Sequence, residues 1–151
     1  MNHEGHEGDE GHEVNPSPGH RMRLPSPLTA HAERVMVETI GCAIRVHRAI
    51  GPGFLESIYK KAMHLELAAS GLSYESERPI SVRYRDADIT GQRVDLIVEG
   101  AIVVELKSVV RLDDVHRAQL ISYLRTAGLR GGLLINFRVP VLRQGLKRVV
   151  L

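Results

Sequence analysis

Apolar residues first recur at helical spacing over residues 28–50, where Val35, Ile40, Ile44, Val46 and His47 fall along the segment with the small residues Ala30, Ala32 and Ala43 between them. Thr29, with Glu33 nearby, opens this predicted helix, and Gly51-Pro52-Gly53 stops it. A second helix is expected over residues 54–70, ended by Gly71. Its predicted buried stripe is Leu55, Ile58, Ala62, Leu65 and Ala69, with Glu56 at the margin beside Tyr59 and Met63. The period then changes. Residues 72–77 and 80–84 alternate apolar and polar, and residues 93–98 and 102–106 are rich in branched side chains, so four strands are expected. Helical spacing returns over residues 112–126, with Asp113 as the cap and Gly128 as the stop. Residues 132–137 are a short apolar run that fits a buried strand, and residues 146–151 add an edge strand. The expected fold class is α/β with one central mixed sheet flanked by helices.

Ahead of this pattern lies a segment of another kind. Residues 1–27 repeat His-Glu-Gly, run into Pro and Gly, and hold almost nothing to bury, so they are expected to be a disordered tail, with one domain over residues 28–151. His3, His6 and His12 alternate with acids that would hold a transition metal weakly, but no fold fixes their geometry, and no function is assigned to the tail.

Composition narrows the class. A chain of 151 residues, 43% hydrophobic and 25% charged, is ordinary for a single globular domain. Its one cysteine, Cys42, excludes an internal disulfide and a zinc knuckle, and no apolar run reaches the roughly 18 residues of a membrane span; a cytoplasmic location with no membrane partner is expected. With 4% aromatics and no tryptophan, a platform stacking many bases is excluded. The net charge of +2 is unevenly spread. Residues 111–151 carry eight Arg or Lys against Asp113 and Asp114, a surplus of +6, whereas the first 23 residues sum to −3. The basic end could meet an anionic partner or simply be a solvated face.

Two adjacent predicted strands contain charges where burial should forbid them. Asp95 interrupts Val94-Asp95-Leu96-Ile97-Val98, and Glu105 and Lys107 interrupt Val103-Val104-Glu105-Leu106-Lys107. Such charges must be paired, metal-bound or at a cleft edge. The pleat points Glu105 and Lys107 to one face, roughly 6 to 7 Å apart. A two-residue turn at Glu99-Gly100 would put Asp95 and Glu105 on opposite faces; a three-residue loop, Glu99-Gly100-Ala101, would put them opposite one another. The second register is expected, because converged carboxylates beside a lysine make an oxygen site for a divalent cation. A structural salt bridge is the plainer reading of the Glu-x-Lys string taken alone.

The Asp-x9-Glu-x-Lys arrangement on a strand hairpin resembles the PD-(D/E)XK nuclease superfamily. Gly53, Glu56 and Tyr59, within Gly51-Pro52-Gly53-Phe54-Leu55-Glu56-Ser57-Ile58-Tyr59, resemble the signature of the GxxExxY proteins, a bacterial group placed in that superfamily. The likeness continues through residues 93–98, 104–107, 116–124 and 131–137 and covers about residues 30–151. It implies a restriction-endonuclease-like core. It also implies that Asp95, Glu105 and Glu56 hold Mg²⁺ or Mn²⁺, that Lys107 activates water, and that Gln119 and Tyr123 brace the site. His116, Gln119 and Tyr123 share a helical face by spacing.

The function so implied is metal-dependent hydrolysis of phosphodiesters in nucleic acid, DNA ahead of RNA, with a homodimer as one way to enlarge a small recognition surface. A non-catalytic module binding nucleic acid or protein on the same fold is the alternative. Read without the resemblance, Glu56 fits a helix-edge acid, Tyr59 a core residue, and Gln119 a buried amide.

Overall fold

A computed structural model describes residues 26–151. The expected tail lies outside the described residues except for Ser26 and Pro27. Helix α1 (Ala30–Ile50) begins where the Thr29 hydroxyl accepts the Ala32 N–H at 3.1 Å, and it ends at Gly51, whose φ of 71° is open to glycine and whose N–H donates to the His47 carbonyl at 2.7 Å. Val35, Val46 and His47 are buried as expected, and Ile40 and Ile44 are half-buried.

Helix α2 (Glu56–Ala69) corrects the expected stripe. Leu55 and Leu65 are 76% and 74% exposed, while Tyr59, Met63 and Leu67 are fully buried. The helix carries two apolar rows, and periodicity alone does not choose between them. The sheet takes the row with the aromatic ring: Tyr59 stacks on Phe137 with ring centroids 4.3 Å apart and planes within 5°. Glu56 precedes Tyr59 by three residues and therefore starts the inward-facing row.

The sheet has five strands in sequence order: β1 (Tyr74–Tyr84), β2 (Ala87–Val98), β3 (Ile102–Lys107), β4 (Gly131–Asn136) and β5 (Leu146–Val150). All neighbours are antiparallel except β3 and β4, which are parallel and therefore need the crossover helix α3 (Asp114–Ala127) between them. The runs 72–77 and 80–84, expected as two strands, are one. Pro79 separates them in sequence, but β1 lies at the sheet edge, where a proline costs no ladder bond on its open side. β2 starts at Ala87, earlier than expected, and the outer half of the β1–β2 hairpin, residues 81–93, is exposed.

Two cores hold the sheet. On one face Leu96, Val98, Ile102, Val104, Leu106, Leu133 and Ile135 pack with α1 and α2; on the other Ile97, Val103 and Leu134 pack with Leu120, Tyr123 and Leu124 of α3. Among the described residues no helix is long and apolar enough to cross a membrane. A 3-10 turn (Leu142–Gly145) carries the chain from β4 to β5. A Cβ on Gly145 would overlap the Asn136 backbone carbonyl, which has no flexible end to move aside. Gly145→Ala is expected to lower stability by about 2 kcal/mol, read as an earlier urea midpoint at unchanged slope.

Candidate active site

The hairpin between β2 and β3 has the three-residue loop. Glu99 and Gly100 both have positive φ, 54° and 59°, the Ala101 N–H closes a turn onto the Val98 carbonyl at 2.9 Å, and Val98 pairs with Ile102. Leu96 pairs with Val104, so one step further Asp95 stands opposite Glu105. Here the ladder changes character. The Asp95 N–H donates to Glu105 Oε1 at 3.1 Å and the Leu106 N–H donates to Asp95 Oδ2 at 2.8 Å, so each carboxylate takes a backbone donor from the facing strand. Asp95 is 7% exposed and Glu105 3%.

The pleat is also interrupted there. Strict alternation would send Val94 to the face of Leu96, yet Val94 and Ile97 both pack beneath α3. On the neighbouring strand Glu77 faces Asp95, since Ser76 pairs with Leu96 and Arg78 with Val94, and Glu77 has a φ of 52°. A non-glycine residue in the left-handed region costs about 1 kcal/mol or more. The irregular backbone brings three acids level across three strands.

A lysine that sequence reasoning missed lies among the acids. Lys60 Nζ is 2.8 Å from Asp95 Oδ1, 3.3 Å from Glu56 Oε1 and 3.5 Å from Glu77 Oε1. Burial works against its ammonium form, but the hydrogen bond and charge of Asp95, with Glu56 and Glu77 behind them, raise its pKa above the usual lysine value. The signal for Lys60 was available, because Glu56 and Lys60 are four apart on one helix face. None existed for Glu77, whose place depends on a β1–β2 register that shifts between Ile80 and Val82. Glu56 thus meets Asp95 through Lys60. Among the described residues no group of three or more His, Cys, Asp or Glu side chains is arranged to hold a metal ion.

Lys107 lies on the α3 side. Its ammonium donates to Gln119 Oε1 at 3.3 Å, and Gln119 Nε2 donates to the Tyr123 hydroxyl at 2.8 Å. The amide's acceptor is thereby turned to the lysine and its donor to the tyrosine. Burial, then the charge of Glu105, raise the Tyr123 pKa, so the phenol keeps its proton. His116, expected on the same face, turns back instead: its Nδ1 accepts the Asp113 N–H at 3.0 Å at the helix start.

Two residues of the Gly53, Glu56, Tyr59 signature, Gly53 and Tyr59, act together on one loop. The Tyr59 hydroxyl donates to the Gly51 carbonyl at 2.6 Å and accepts the Phe54 N–H at 3.3 Å, while Gly53, with φ of 106°, makes the bend between them. Ser108 Oγ donates to the Phe54 carbonyl at 2.8 Å. Asn136 then ties down the chain leaving β3: its Nδ2 donates to the Val109 carbonyl at 2.9 Å and its Oδ1 accepts the Val109 N–H at 3.0 Å. The first turn of α2 and the end of β3 are therefore fixed relative to each other.

A family model described as the PD-(D/E)XK nuclease superfamily matches residues 33–149. The chain belongs to this superfamily. No curated protein and no solved structure gave a match. The mixed sheet with helices on both faces is the fold expected of a PD-(D/E)XK nuclease, and membership points to nuclease activity on a nucleic-acid substrate.

In this PD-(D/E)XK domain Glu105 is the most perturbed acid. Burial, then the adjacent Asp95 charge, push its carboxyl up to about 8, outweighing the Asp95 N–H and the charge of Lys107. In the unfolded chain the same group titrates near 4.5. Stability from the neutral carboxyl is therefore complete below about pH 4.5 and lost as the pH rises through about 8. With divalent ions chelated, the melting temperature of the natural chain should fall more between about pH 5 and pH 8 than that of Glu105→Gln. Parallel pH profiles for the two proteins would contradict this account.

Proposed function

We propose that the protein hydrolyses phosphodiester bonds in nucleic acid with Mg²⁺ or Mn²⁺ at Asp95 and Glu105, and that it is a GxxExxY-type member of the superfamily. One observation carries the reading: two buried carboxylates converge beside a lysine, and one of them, Glu105, has no ion-pair partner among the described residues. A carboxyl pair suits a hard divalent ion, which commonly binds through one or two carboxylates and completes its shell with water and phosphate oxygens. When bound, such an ion supplies charge to a phosphoryl oxygen and acidifies a water.

The chain's own residues do the rest. Asp95 and Glu105 are each held by a backbone N–H group of the facing strand, and a cation would bind between them in exchange for the Lys60 contact on Asp95. Lys107 is held by Gln119, which Tyr123 fixes in turn, and its ammonium would orient water or offset charge developing on phosphate. Glu56 completes the acids on the α2 side, and Lys60 shields Asp95 from Glu56 and Glu77. DNA ahead of RNA, a cytoplasmic location and a homodimer belong to the same proposal.

A binding module is the second reading, and Lys60 favours it. An ammonium already paired with Asp95 satisfies part of the site without metal. Cleavage of single-stranded, linear duplex and plasmid substrates, with and without Mg²⁺ or Mn²⁺, separates the two. Metal-dependent cleavage is expected, with losses of about a hundredfold or more in Asp95→Ala, Glu105→Ala and Lys107→Ala. Cleavage unchanged in Glu105→Ala would defeat the catalytic reading, and salt-sensitive binding without cleavage would establish the module.

A further inference from the structure

At the start of α2 lies a cavity of about 440 Å³ lined by Gly53, Phe54, Leu55, Glu56, Ser108 and Arg138. It adjoins the proposed reaction site through Glu56, whose carboxylate reaches Lys60 and through it Asp95. Two of its features do not serve the fold. The chain has two phenylalanines; Phe137 is fully buried, whereas Phe54 is 48% exposed. An exposed ring on a loose loop would be unremarkable, but this loop is fixed at both peptide groups of Phe54, by Tyr59 Oη and Ser108 Oγ. The ring itself meets Tyr59 edge-on, with centroids 6.3 Å apart and planes at 77°. Arg138 is exposed, and among the described residues its guanidinium makes no hydrogen bond or ion pair.

A rigid aromatic surface and an uncommitted guanidinium in one cavity fit a nucleotide: an aromatic ring takes the base by stacking, and arginine takes a phosphate. Resting on the nuclease reading above, we infer that this cavity is a subsite for one unpaired nucleotide next to the scissile phosphate, its base on Phe54 and its phosphate on Arg138. A base within a continuous duplex is covered on both faces by its neighbours, so Phe54 is reached only by a single strand, a frayed end or a displaced nucleotide. The substrate class is therefore nucleic acid with an unpaired residue at the cleavage point. One ring holds one base, which agrees with a chain too poor in aromatics for a longer platform. Arg138 also places positive charge on the rim of a site whose acids on this flank, Glu56 and Glu77, repel phosphate and share the single charge of Lys60 with Asp95.

The test uses the full chain with Ca²⁺ replacing Mg²⁺, and a fluorescein-labelled single-stranded 12-mer read by anisotropy. Phe54→Ala should weaken binding by roughly tenfold and Phe54→Trp should restore it, because the ring face and not the phenylalanine edge is required. Arg138→Ala should weaken binding and reduce the slope of log affinity against log salt by about 0.7, the share of one phosphate contact on a single strand. Moving a single abasic nucleotide along the oligonucleotide should find one position that weakens the natural protein as much as Phe54→Ala does, without further loss in Phe54→Ala. A fully paired duplex should bind Phe54→Ala and the natural chain alike. If the natural chain cleaves nucleic acid but Phe54→Ala, Arg138→Ala and every abasic probe behave as the unmodified pair, the subsite is wrong and the nuclease reading stands. If the natural chain neither binds nor cleaves, both fall. The abasic series requires no altered protein and settles the point should Phe54→Ala fold poorly.

Discussion

Asp95 and Glu105 face one another inside a sheet, where an unpaired carboxylate costs several kcal/mol in lost hydration and a second one beside it adds repulsion. The neighbouring structure is shaped to bear that cost. Regular ladder bonds stop at this level, and the backbone N–H groups of Asp95 and Leu106 turn to the two carboxylates instead. Lys60 brings a positive charge to Asp95 from α2, and Glu105 holds its proton well above the ordinary range. Each compensation is local, yet each draws on a different element: β2, β3 and α2. The pair therefore couples both layers of the fold, and loss of either carboxylate leaves its partners mismatched.

The loop before α2 supplies the rigidity that this arrangement needs. Tyr59 stands on Phe137, reaches back to both Gly51 and Phe54, and so fixes where the first turn of α2 meets the sheet. Glu56 and Lys60 sit on that turn. A tyrosine that looks like core packing by composition is thus also what aims the charged residues beside it. Asn136 performs the matching task from β4, holding Val109 at the exit of β3.

Most of the fold was legible because its signals are local. Thr29 and Gly51 bound α1, Gly128 ends α3, and the branched runs of β3 and β4 read as buried strands. The facing of Asp95 and Glu105 followed from chemistry, because of the two loop lengths open to the hairpin only the three-residue one converges the carboxylates, and that is the loop present. Errors arose where the deciding partner is distant in sequence. The outward row of α2 is as periodic as the inward one, and only contact with Phe137 selects between them. The runs on either side of Pro79 read as two strands because nothing local says that β1 is one edge strand. Glu77 depends on a register set beyond a bulge, and the role of Lys60 depends on where α2 docks. His116 had the spacing of a site residue but found a nearer backbone donor.

Charge at the site closes the argument. Four acids, Glu56, Glu77, Asp95 and Glu105, meet two lysines, Lys60 and Lys107. With Glu105 protonated the surplus is one negative charge, and with its proton released it is two. Each repels a phosphate about 6 Å away by roughly 3 kcal/mol at an effective dielectric of 20. The basic terminal third does not cancel this, because its charges are dispersed: Arg148 pairs with Glu33, and Arg130 donates to the Leu151 carbonyl. Arg138 alone offsets about one charge at the rim. A divalent ion held by Asp95 and Glu105 would offset the remainder, so under the proposed mechanism metal and phosphate favour each other's binding.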